Sequence, residues 1–277
     1  MALLHGWRCR GGVPREGWDD GLVEKLQSLV FRTDELVRAA DGELLFGAAD
    51  REFADFSIDS RQIQRGELFL AVKGERFDGH EFVAEAVRKG AAGVIVSDLS
   101  AVASEIMDKG DVTVVIVKDT TRSLQTIARH VRRRSCTTVV AITGSIGKTT
   151  TKELSAACIG VQKRVYRNLG NLNNHIGLPL SLLKLRHQPE VAVVELGMNH
   201  AGEIRTLVDI AEPNVRVWTN VAEVHAENFL SIEGIADAKA ELLEGSRSDD
   251  RLVANADDSL VMDRISQFPG LTMTFGL

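Results

Sequence analysis

Apolar residues in the second half of the chain form short continuous runs, and these runs alternate with segments of helical periodicity. The clearest runs are residues 139–142, 190–195 and 215–219. Strands that are apolar throughout are typical of a parallel sheet covered by helices on both faces. Further strands are expected at 164–166, 251–254 and 271–275, with helices at 148–160, 202–211, 231–244 and 257–267. The pattern predicts an α/β domain built on a mostly parallel sheet.

The first half of the chain predicts a smaller α/β domain. Strands are expected at 67–72, 92–96 and 112–117, and helices at 34–40, 80–89 and 120–134. Thr33 is expected to cap the first of these helices, and Gly42 to close it. The helix at 120–134 is amphipathic and leads into the second half, so the domain boundary is expected just before or after it. We assign 1–27 to an extension without a clear pattern, 28–119 to the small domain and 120–277 to the large one.

A glycine-containing turn joins the predicted strand at 139–142 to the predicted helix at 148–160. It consists of Gly144, Ser145, Ile146, Gly147, Lys148, Thr149 and Thr150. Backbone N–H groups and the positive end of the helix can surround a polyphosphate, while Lys148 can reach its β and γ oxygens and Thr149 can hold Mg²⁺. The expected ligand is ATP or GTP. Ile142 stands where the general phosphate-loop pattern has its first glycine, so an ordinary βα turn is the alternative.

Two further side chains are expected at the same edge of the sheet. Glu195 ends the strand at 190–195, and His225 follows the strand at 215–219 by a few residues. The carboxyl ends of parallel strands meet at one edge, where a carboxylate can coordinate Mg²⁺ directly or through water. Either residue taken alone favours a structural role, but the edge that they share with Lys148 and Thr149 favours a metal site.

Composition limits the class of protein. A net charge of −6 over 277 residues gives no support to a nucleic-acid footprint. No apolar run reaches the roughly 18 residues that a membrane helix needs. The cysteines, Cys9, Cys136 and Cys158, show no metal spacing and predict reduced thiols. We expect a soluble, monomeric, cytoplasmic protein that neither inserts into a membrane nor binds nucleic acid.

Two polar stretches of the small domain are candidates for ligand binding. Residues 59–61 and 74–80 are placed between or just before its predicted strands and helices. Loops at strand ends are where α/β domains bind ligands. Plain turn chemistry explains these stretches equally well from their spacing alone.

Six stretches, in chain order, resemble the Mur ligase family: residues 144–150, 171–179, 195–200, 220–225, 238–241 and 255–258. Residues 59–61 with 77–80, the Asn-Asn pair before 176–179, and residues 195–200 resemble the MurF type in particular. The resemblance covers about residues 28–277. It implies an ATP-dependent ligase of peptidoglycan synthesis, which adds D-alanyl-D-alanine to UDP-N-acetylmuramoyl-tripeptide through an acyl phosphate.

The resemblance also implies catalytic and metal-binding roles. Lys148, His225 and Lys239 match catalytic positions of the family, and its magnesium ions are held at the positions of Thr149, Glu195, His225 and Lys239. Lys239 matches a lysine that is carbamylated in many members. An ammonium would repel Mg²⁺, whereas a carbamate is in effect a long carboxylate, formed when a neutral lysine meets CO₂.

Other matched residues are expected to bind nucleotide or substrate. Asn255 matches an adenine contact, and a substrate and nucleotide loop contains Asn173, Asn174 and His175. The part of the family that holds the UDP end of the substrate is matched by Ser60, Arg61, Gly79 and His80. Ile146 departs from the family, which often has a small or polar residue there. This costs little if only the backbone N–H of Ile146 faces phosphate.

Two alternatives stay open. The first is a sibling amide ligase, such as the enzyme that adds the third residue of the peptide, or a relative of folylpolyglutamate synthase. The Asn-Asn pair and the stretch 195–200 argue against both. The second is a module that holds ATP or a UDP-sugar peptide without ligating, and a phosphate-release assay with each candidate amine separates the two classes.

Family members generally carry a third α/β domain that closes over the nucleotide, whereas this chain stops in or just after the predicted strand at 271–275. We expect the natural protein to continue. Because closure completes such sites, residues 1–277 should bind the UDP substrate, bind ATP at most weakly, and ligate poorly or not at all. A ligation assay beside a three-domain relative checks this, and comparable rates would refute it.

Overall fold

The structure, a computed structural model, describes residues 29–74, 77–103, 111–223 and 228–277. The described residues form two compact units, one up to residue 130 and one from residue 131 onward. The division lies within the helix Thr120–Arg134. This is the helix beside which the sequence places the domain boundary.

The first unit contains a mixed sheet and a two-stranded ribbon. Its strands are β1 (Phe31–Arg32), β2 (Glu43–Phe46), β3 (Glu52–Phe53), β4 (Phe56–Ser57), β5 (Leu68–Leu70), β6 (Gly93–Val96) and β7 (Thr113–Ile116). The sheet order is β2-β7-β6-β5-β4, in which only β2 runs antiparallel to its neighbour, and β1 pairs with β3. The strands β5, β6 and β7 are confirmed predictions. The other four are two to four residues long, too short to show an alternating pattern.

The helices of the first unit are α1 (Thr33–Ala40), α2 (Val83–Arg88) and α3 (Thr120–Arg134), and a 3₁₀ turn, Gly79–Phe82, precedes α2. Buried residues on one face of the sheet, among them Phe69, Val94 and Val114, pack against Val83 and Ala86 of α2. The prediction that Thr33 caps α1 is wrong. Thr33 is the first helical residue, and the cap position belongs to Arg32, whose side chain makes no capping bond.

The second unit is a six-stranded, wholly parallel sheet. Its strands are β8 (Thr138–Thr143), β9 (Val165–Arg167), β10 (Val191–Glu195), β11 (Val215–Trp218), β12 (Arg251–Asn255) and β13 (Leu271–Phe275). Their order is β13-β12-β11-β8-β10-β9. All six strands were predicted, and so was the mostly parallel sheet. Continuous apolar runs such as β8 and β10 are buried along almost their whole length, as a sheet covered on both faces requires.

The helices of the second unit are α4 (Lys148–Gly160), α5 (Gly177–Leu183), α6 (Glu203–Ala211), α7 (Ile232–Ala240) and α8 (Ser259–Met262). Two helices predicted as longer continue as 3₁₀ turns, Glu241–Leu243 after α7 and Ile265–Gln267 after α8. The sequence did not predict α5. Because every strand is parallel, the loops that follow β8, β10 and β11 open at one edge of the sheet, and β8 lies between the other two strands.

The cysteines differ from expectation. Cys136 takes part in a disulfide, and Cys158 is a free, exposed thiol. The prediction of reduced thiols is therefore wrong for Cys136, and Cys9 lies outside the described residues. In the part of the chain that the structure describes, every helix is too short or too polar to cross a membrane.

A buried ion pair stabilises the second unit at the edge opposite those loops. Arg216, in β11, donates to Asp250 Oδ2 over 2.7 Å, and the two side chains are 1% and 0% exposed. The guanidinium also donates to the carbonyl oxygens of Leu242 and Pro213. Because these partners come from several segments, the pair ties β11 to the chain entering β12.

We predict that Asp250→Asn lowers the free energy of unfolding by about 3–5 kcal/mol, because it leaves the buried guanidinium without a counter-charge. The control is Glu244→Gln, which breaks an exposed pair with Arg205 and should cost about 1 kcal/mol or less. Urea unfolding followed by circular dichroism measures both. Equal effects of the two substitutions would contradict this account of the pair.

Candidate nucleotide- and metal-binding site

The turn after β8 depends on two glycines for different reasons. Gly147 has φ +83°, a conformation that disfavours other residues, although a Cβ there would meet nothing within 4 Å. Gly144 has φ +149°, and a Cβ would lie 1.9 Å from Thr219 Oγ1. Gly147 therefore lets the chain enter α4, and Gly144 lets the loop pack against the end of β11.

The amino end of α4 offers backbone donors. Gly147 is the cap residue and supplies no side chain, and Thr151 N donates to Gly147 O as the first bond of the helix. The N–H groups at 148–150 come before that bond and have no partner in the helical ladder. Together with the positive end of the helix, they suit an anion such as a phosphate.

The N–H groups at Ser145 and Ile146 are used differently. Ser145 N donates to Asn220 O, and Ile146 N donates to Asn220 Oδ1. The backbone N–H of Ile146 is thus engaged within the protein, so the condition that it faces phosphate is not met in this structure. Its side chain is 59% exposed, so a large apolar residue is accommodated here without steric conflict.

Lys148 folds back over the turn. Its ammonium donates to Gly144 O over 2.8 Å and to Ser145 O over 3.0 Å. Burial lowers the pKa of Lys148, and the charge of Glu195 opposes that effect. The two carbonyl oxygens hold the ammonium at the loop, at the same edge of the sheet as Glu195.

Glu195, the last residue of β10, is the centre of the site. Its Oε2 accepts a hydrogen bond from Thr149 Oγ1 over 2.8 Å, and its Oε1 accepts one from Asn173 Nδ2 over 2.9 Å. The carboxylate is buried, with Glu195 only 4% exposed. The pairing of β10 with β8 places Glu195 beside Ile142, so the sheet itself brings the carboxylate to the phosphate loop, as the sequence predicted.

These residues fit Mg²⁺. A hydroxyl and a carboxylate are hard oxygen donors, and Mg²⁺ usually takes one or two protein ligands and completes its shell with water and phosphate oxygens. The hydrogen bonds from Thr149 and Asn173 come from neutral donors, which leave the charge of Glu195 available to a cation. In the described ranges, no group of three or more His, Cys, Asp or Glu side chains could hold a metal ion. Mg²⁺ held by one or two protein ligands does not require such a group.

Lys239 lies near the end of α7 and is 2% exposed. Burial, with the positive charge of Lys148 as a second cause, lowers its pKa from 10.5 to about 7. The two amines are therefore close enough to interact. An amine with a pKa near 7 is substantially neutral at neutral pH, and a neutral amine is the form that reacts with CO₂.

Other residues expected near the nucleotide have mixed outcomes. His225 lies outside the described residues. Asn255 ends β12, donates to Thr219 O and accepts from Asp257 N, so both ends of its amide are engaged within the protein. Asn174 Oδ1 accepts from Ile176 N and Gly177 N at the start of α5, and His175 is exposed.

In the first unit, the stretch 59–61 forms two polar contacts. Ser60 is buried and donates to Glu85 Oε2 over 3.0 Å. Arg61 is exposed and makes a two-pronged contact with Asp59, at 2.9 and 2.8 Å. The hydrogen bond from Arg61 is the main cause that lowers the pKa of Asp59 to about 2. Asp59 thus fixes the guanidinium through Nε and Nη2, and the Arg61 side chain remains on the surface.

His80 is held at both ring nitrogens. Ser97 N donates to His80 Nε2 over 2.9 Å, and His80 Nδ1 lies 2.6 Å from Asp78 Oδ1. Because Nε2 accepts, Nδ1 carries the proton and donates to Asp78. A Cβ at Gly79 would lie 2.7 Å from the backbone of Ala71 and Val72, so only glycine fits before His80. Within the described residues, the hydrogen bonds of His80 go to Asp78 and Ser97, whereas those of Ser60 and Arg61 go to Glu85 and Asp59.

Sequence reasoning missed two asparagines. Asn168, fully buried after β9, accepts from Glu195 N and from Lys152 Nζ, and its Nδ2 donates to Leu172 O. Asn220 binds both backbone groups of Ile146. A weak signal marked Asn220, a polar residue directly after the predicted strand at 215–219, whereas Asn168 lies two residues beyond the predicted strand at 164–166 and had none.

Comparisons with known proteins identify a family for both units of the chain. A family model described as "Mur ligase family, catalytic domain" matches residues 53–132, and one described as "Mur ligase middle domain" matches residues 142–277. Together they cover most of the chain.

Two curated proteins with similar sequences carry the same name. The UDP-N-acetylmuramoyl-tripeptide–D-alanyl-D-alanine ligases of Bacillus subtilis strain 168 and Escherichia coli strain K12 are 40% and 38% identical over 210 and 225 residues. The alignments cover 76% and 81% of this chain, and 45% and 48% of the relatives. The chain spans about half the length of the curated relatives it matches.

Solved MurF structures match the fold of this chain. MurF from Acinetobacter baumannii matches with a TM-score of 0.80 and 30% identity, over 91% of this chain and 54% of that chain. MurF ligase from Thermotoga maritima in complex with ADP matches with a TM-score of 0.72 and 33% identity, over 80% and 50%. The second neighbour holds a nucleotide of the kind that the phosphate loop predicts.

We predict that Lys148→Ala lowers affinity for ADP at least about tenfold, because it removes a charge-assisted hydrogen bond to phosphate, while the melting temperature stays close to that of the parent. Lys163→Ala is the control, since Lys163 pairs with Glu190 before β9. Isothermal titration measures the affinity. An ADP affinity unchanged in Lys148→Ala would sink the phosphate-loop assignment.

A second prediction concerns Lys239. Native mass spectrometry should show an adduct of about 44 Da, the mass of one CO₂, that Lys239→Gln lacks. Because the pKa is about 7, protonation removes the reactive amine as the pH falls below that value. Adduct occupancy should therefore rise between about pH 6 and pH 8. An adduct that persists in Lys239→Gln assigns it to another amine.

Proposed function

The chain belongs to the Mur ligase family, and we propose that this protein is an ATP-dependent ligase that joins D-alanyl-D-alanine to UDP-N-acetylmuramoyl-tripeptide. The observation that carries the proposal is the contact of Thr149 with the buried Glu195 beside a phosphate loop. The names of the curated relatives, at 40% and 38% identity, support the choice of substrates.

The reaction has two steps. The terminal carboxylate of the tripeptide attacks the γ-phosphorus of ATP, the bond to ADP breaks, and an acyl phosphate forms. The amine of D-alanyl-D-alanine then attacks the acyl carbon, phosphate leaves with the electron pair of the broken bond, and the amine loses a proton. The products are an amide, ADP and phosphate.

The residues around the phosphate loop stabilise charge in the first step. Negative charge develops on the oxygens of the transferred group, and the ammonium of Lys148 together with the N–H groups at 148–150 offsets it. Mg²⁺, when bound, screens the phosphate oxygens from the attacking carboxylate. We assign Thr149, Glu195, a carbamylated Lys239 and His225 as the residues that hold it.

We assign nucleotide and substrate contacts to the remaining candidates. Asn255 is proposed to contact adenine, and Asn173, Asn174 and His175 to lie beside substrate and nucleotide. The UDP end of the substrate is assigned to the first unit, at Ser60, Arg61, Gly79 and His80. The exposed guanidinium of Arg61, which Asp59 orients, suits a diphosphate.

The proposed location, oligomeric state and partners of the protein follow from the same assignment. UDP-linked precursors are soluble nucleotides, and we propose a cytoplasmic monomer that acts in cell-wall synthesis. Nucleic acid is not proposed as a partner, because the chain carries a net charge of −6.

The test of the proposed function is phosphate release from ATP. It is measured with UDP-N-acetylmuramoyl-tripeptide, with and without D-alanyl-D-alanine, and with single amino acids in place of the dipeptide. The proposal expects release that depends on both substrates and prefers the dipeptide, and dependence rather than rate is the criterion. A preference for a single amino acid indicates a sibling ligase. Binding of the UDP substrate without phosphate release under any condition indicates that these 277 residues by themselves act as a non-ligating module.

A further inference from the structure

A short segment after β11 is hydrogen-bonded to the phosphate loop. We call residues 219–222 the loop clamp. On the Ser145 side, Ser145 N donates to Asn220 O over 3.0 Å, Ser145 Oγ donates to Ala222 O over 3.0 Å, and Ala222 N lies 2.8 Å from Ser145 Oγ. Ser145 is thus held by both its backbone and its hydroxyl.

The loop clamp holds Ile146 more completely. Ile146 N donates to Asn220 Oδ1 over 2.9 Å, while Asn220 Nδ2 donates to Ile146 O over 3.0 Å. Thr219 Oγ1 donates to the same carbonyl oxygen over 2.9 Å. A single side-chain amide therefore fixes the two peptide planes on either side of Ile146, as a neighbouring β-strand would.

Fixing Ile146 matters because of the residue that follows it. Gly147 has φ +83° and nothing within 4 Å of the position a Cβ would take, so neither sterics nor packing confines it. The direction of the N–H groups at 148–150 depends on how the chain enters α4. If the entry were loose, phosphate binding would have to order it and lose affinity accordingly.

We propose that Asn220 is a positioning residue for polyphosphate, which preorganises the phosphate loop by holding both backbone groups of Ile146. This rests on the proposed function only in taking ATP as the ligand. Asn220 touches no phosphate in this account. It acts through the backbone of Ile146 and Gly147.

The loop clamp is itself held from β12 and the turn after it. Asn255 Nδ2 donates to Thr219 O over 2.9 Å, and Val221 N donates to Asp258 Oδ2 over 2.7 Å. Asn255 is the residue proposed to contact adenine. The loop clamp therefore links the proposed base-binding end of the site to its phosphate-binding end, through three consecutive residues.

The experiment compares adenosine, AMP and ADP as ligands of the parent protein and of Asn220→Ala, by isothermal titration. We expect affinity for ADP to fall about tenfold, since two hydrogen bonds that order the loop are lost. Affinity for adenosine should change less than about twofold, because adenosine does not reach the loop. The ratio of ADP affinity to adenosine affinity is the readout, and a general loss of stability does not change it.

The matched control is Asn214→Ala. Asn214 is a buried asparagine at the other end of the same strand, where its Oδ1 accepts from Val139 N and Arg132 Nη2. This substitution should lower the melting temperature at least as much as Asn220→Ala and leave the ADP-to-adenosine ratio unchanged. If both variants lower the ratio equally, the effect is one of stability and the proposal is wrong.

Hydrogen exchange tests the loop clamp without any ligand. The amide of Ile146, protected by Asn220 Oδ1, should exchange at least about tenfold faster in Asn220→Ala, while the amides of β8 keep their protection. Unchanged exchange at Ile146, or an unchanged ligand ratio in a folded Asn220→Ala, overturns the proposal. If the parent protein fails to bind ADP, the proposed function fails, and the exchange result alone decides whether Asn220 orders the loop.

Discussion

The buried carboxylate of Glu195 is the interaction on which the site depends. It lies at the carboxyl end of β10, where Thr149 and Asn173 donate to its two oxygens, and its own N–H donates to the buried Asn168. A buried carboxylate is costly unless it is hydrogen-bonded or paired with a cation. The parallel pairing of β8 and β10 brings this charge to the phosphate loop, so sheet topology and site chemistry cannot be separated.

Two lysines, Lys148 and Lys239, supply the positive charge of the site in which this carboxylate is buried. Lys148 is half-buried, and its ammonium is held by two loop carbonyl oxygens rather than by a carboxylate. Lys239 is almost fully buried and its pKa is about 7, lowered by burial and by the charge of Lys148. A site in which one lysine donates to loop carbonyl oxygens and the other has a pKa near 7 can bind phosphate and still accept a divalent cation.

Much of this could be predicted from the sequence, because strands with continuous apolar runs and a Gly-Lys-Thr turn have a periodic or local signature. The parallel sheet, α4 and the neighbourhood of Thr149 and Glu195 were predicted on that basis. The short strands β1 to β4 carry no such signature. Asn168 and Asn220 act through bonds to backbone groups about 27 and 74 residues away in the chain, and no local pattern reports such contacts. Arg32 rather than Thr33 occupies the cap position of α1, and the N–H groups of Thr33 and Asp34 donate to Arg51 O and Ala49 O, partners that no local pattern reports.

The central claim is that Glu195 and Thr149 form a cation site at the phosphate loop. The most direct measurement is the affinity for ADP with and without Mg²⁺, in the parent protein and in Glu195→Gln, which keeps the size of the side chain and removes its charge. The account predicts that Mg²⁺ strengthens ADP binding to the parent, that this gain is lost in Glu195→Gln, and that metal-free ADP affinity does not fall. A full Mg²⁺-dependent gain in Glu195→Gln would contradict it.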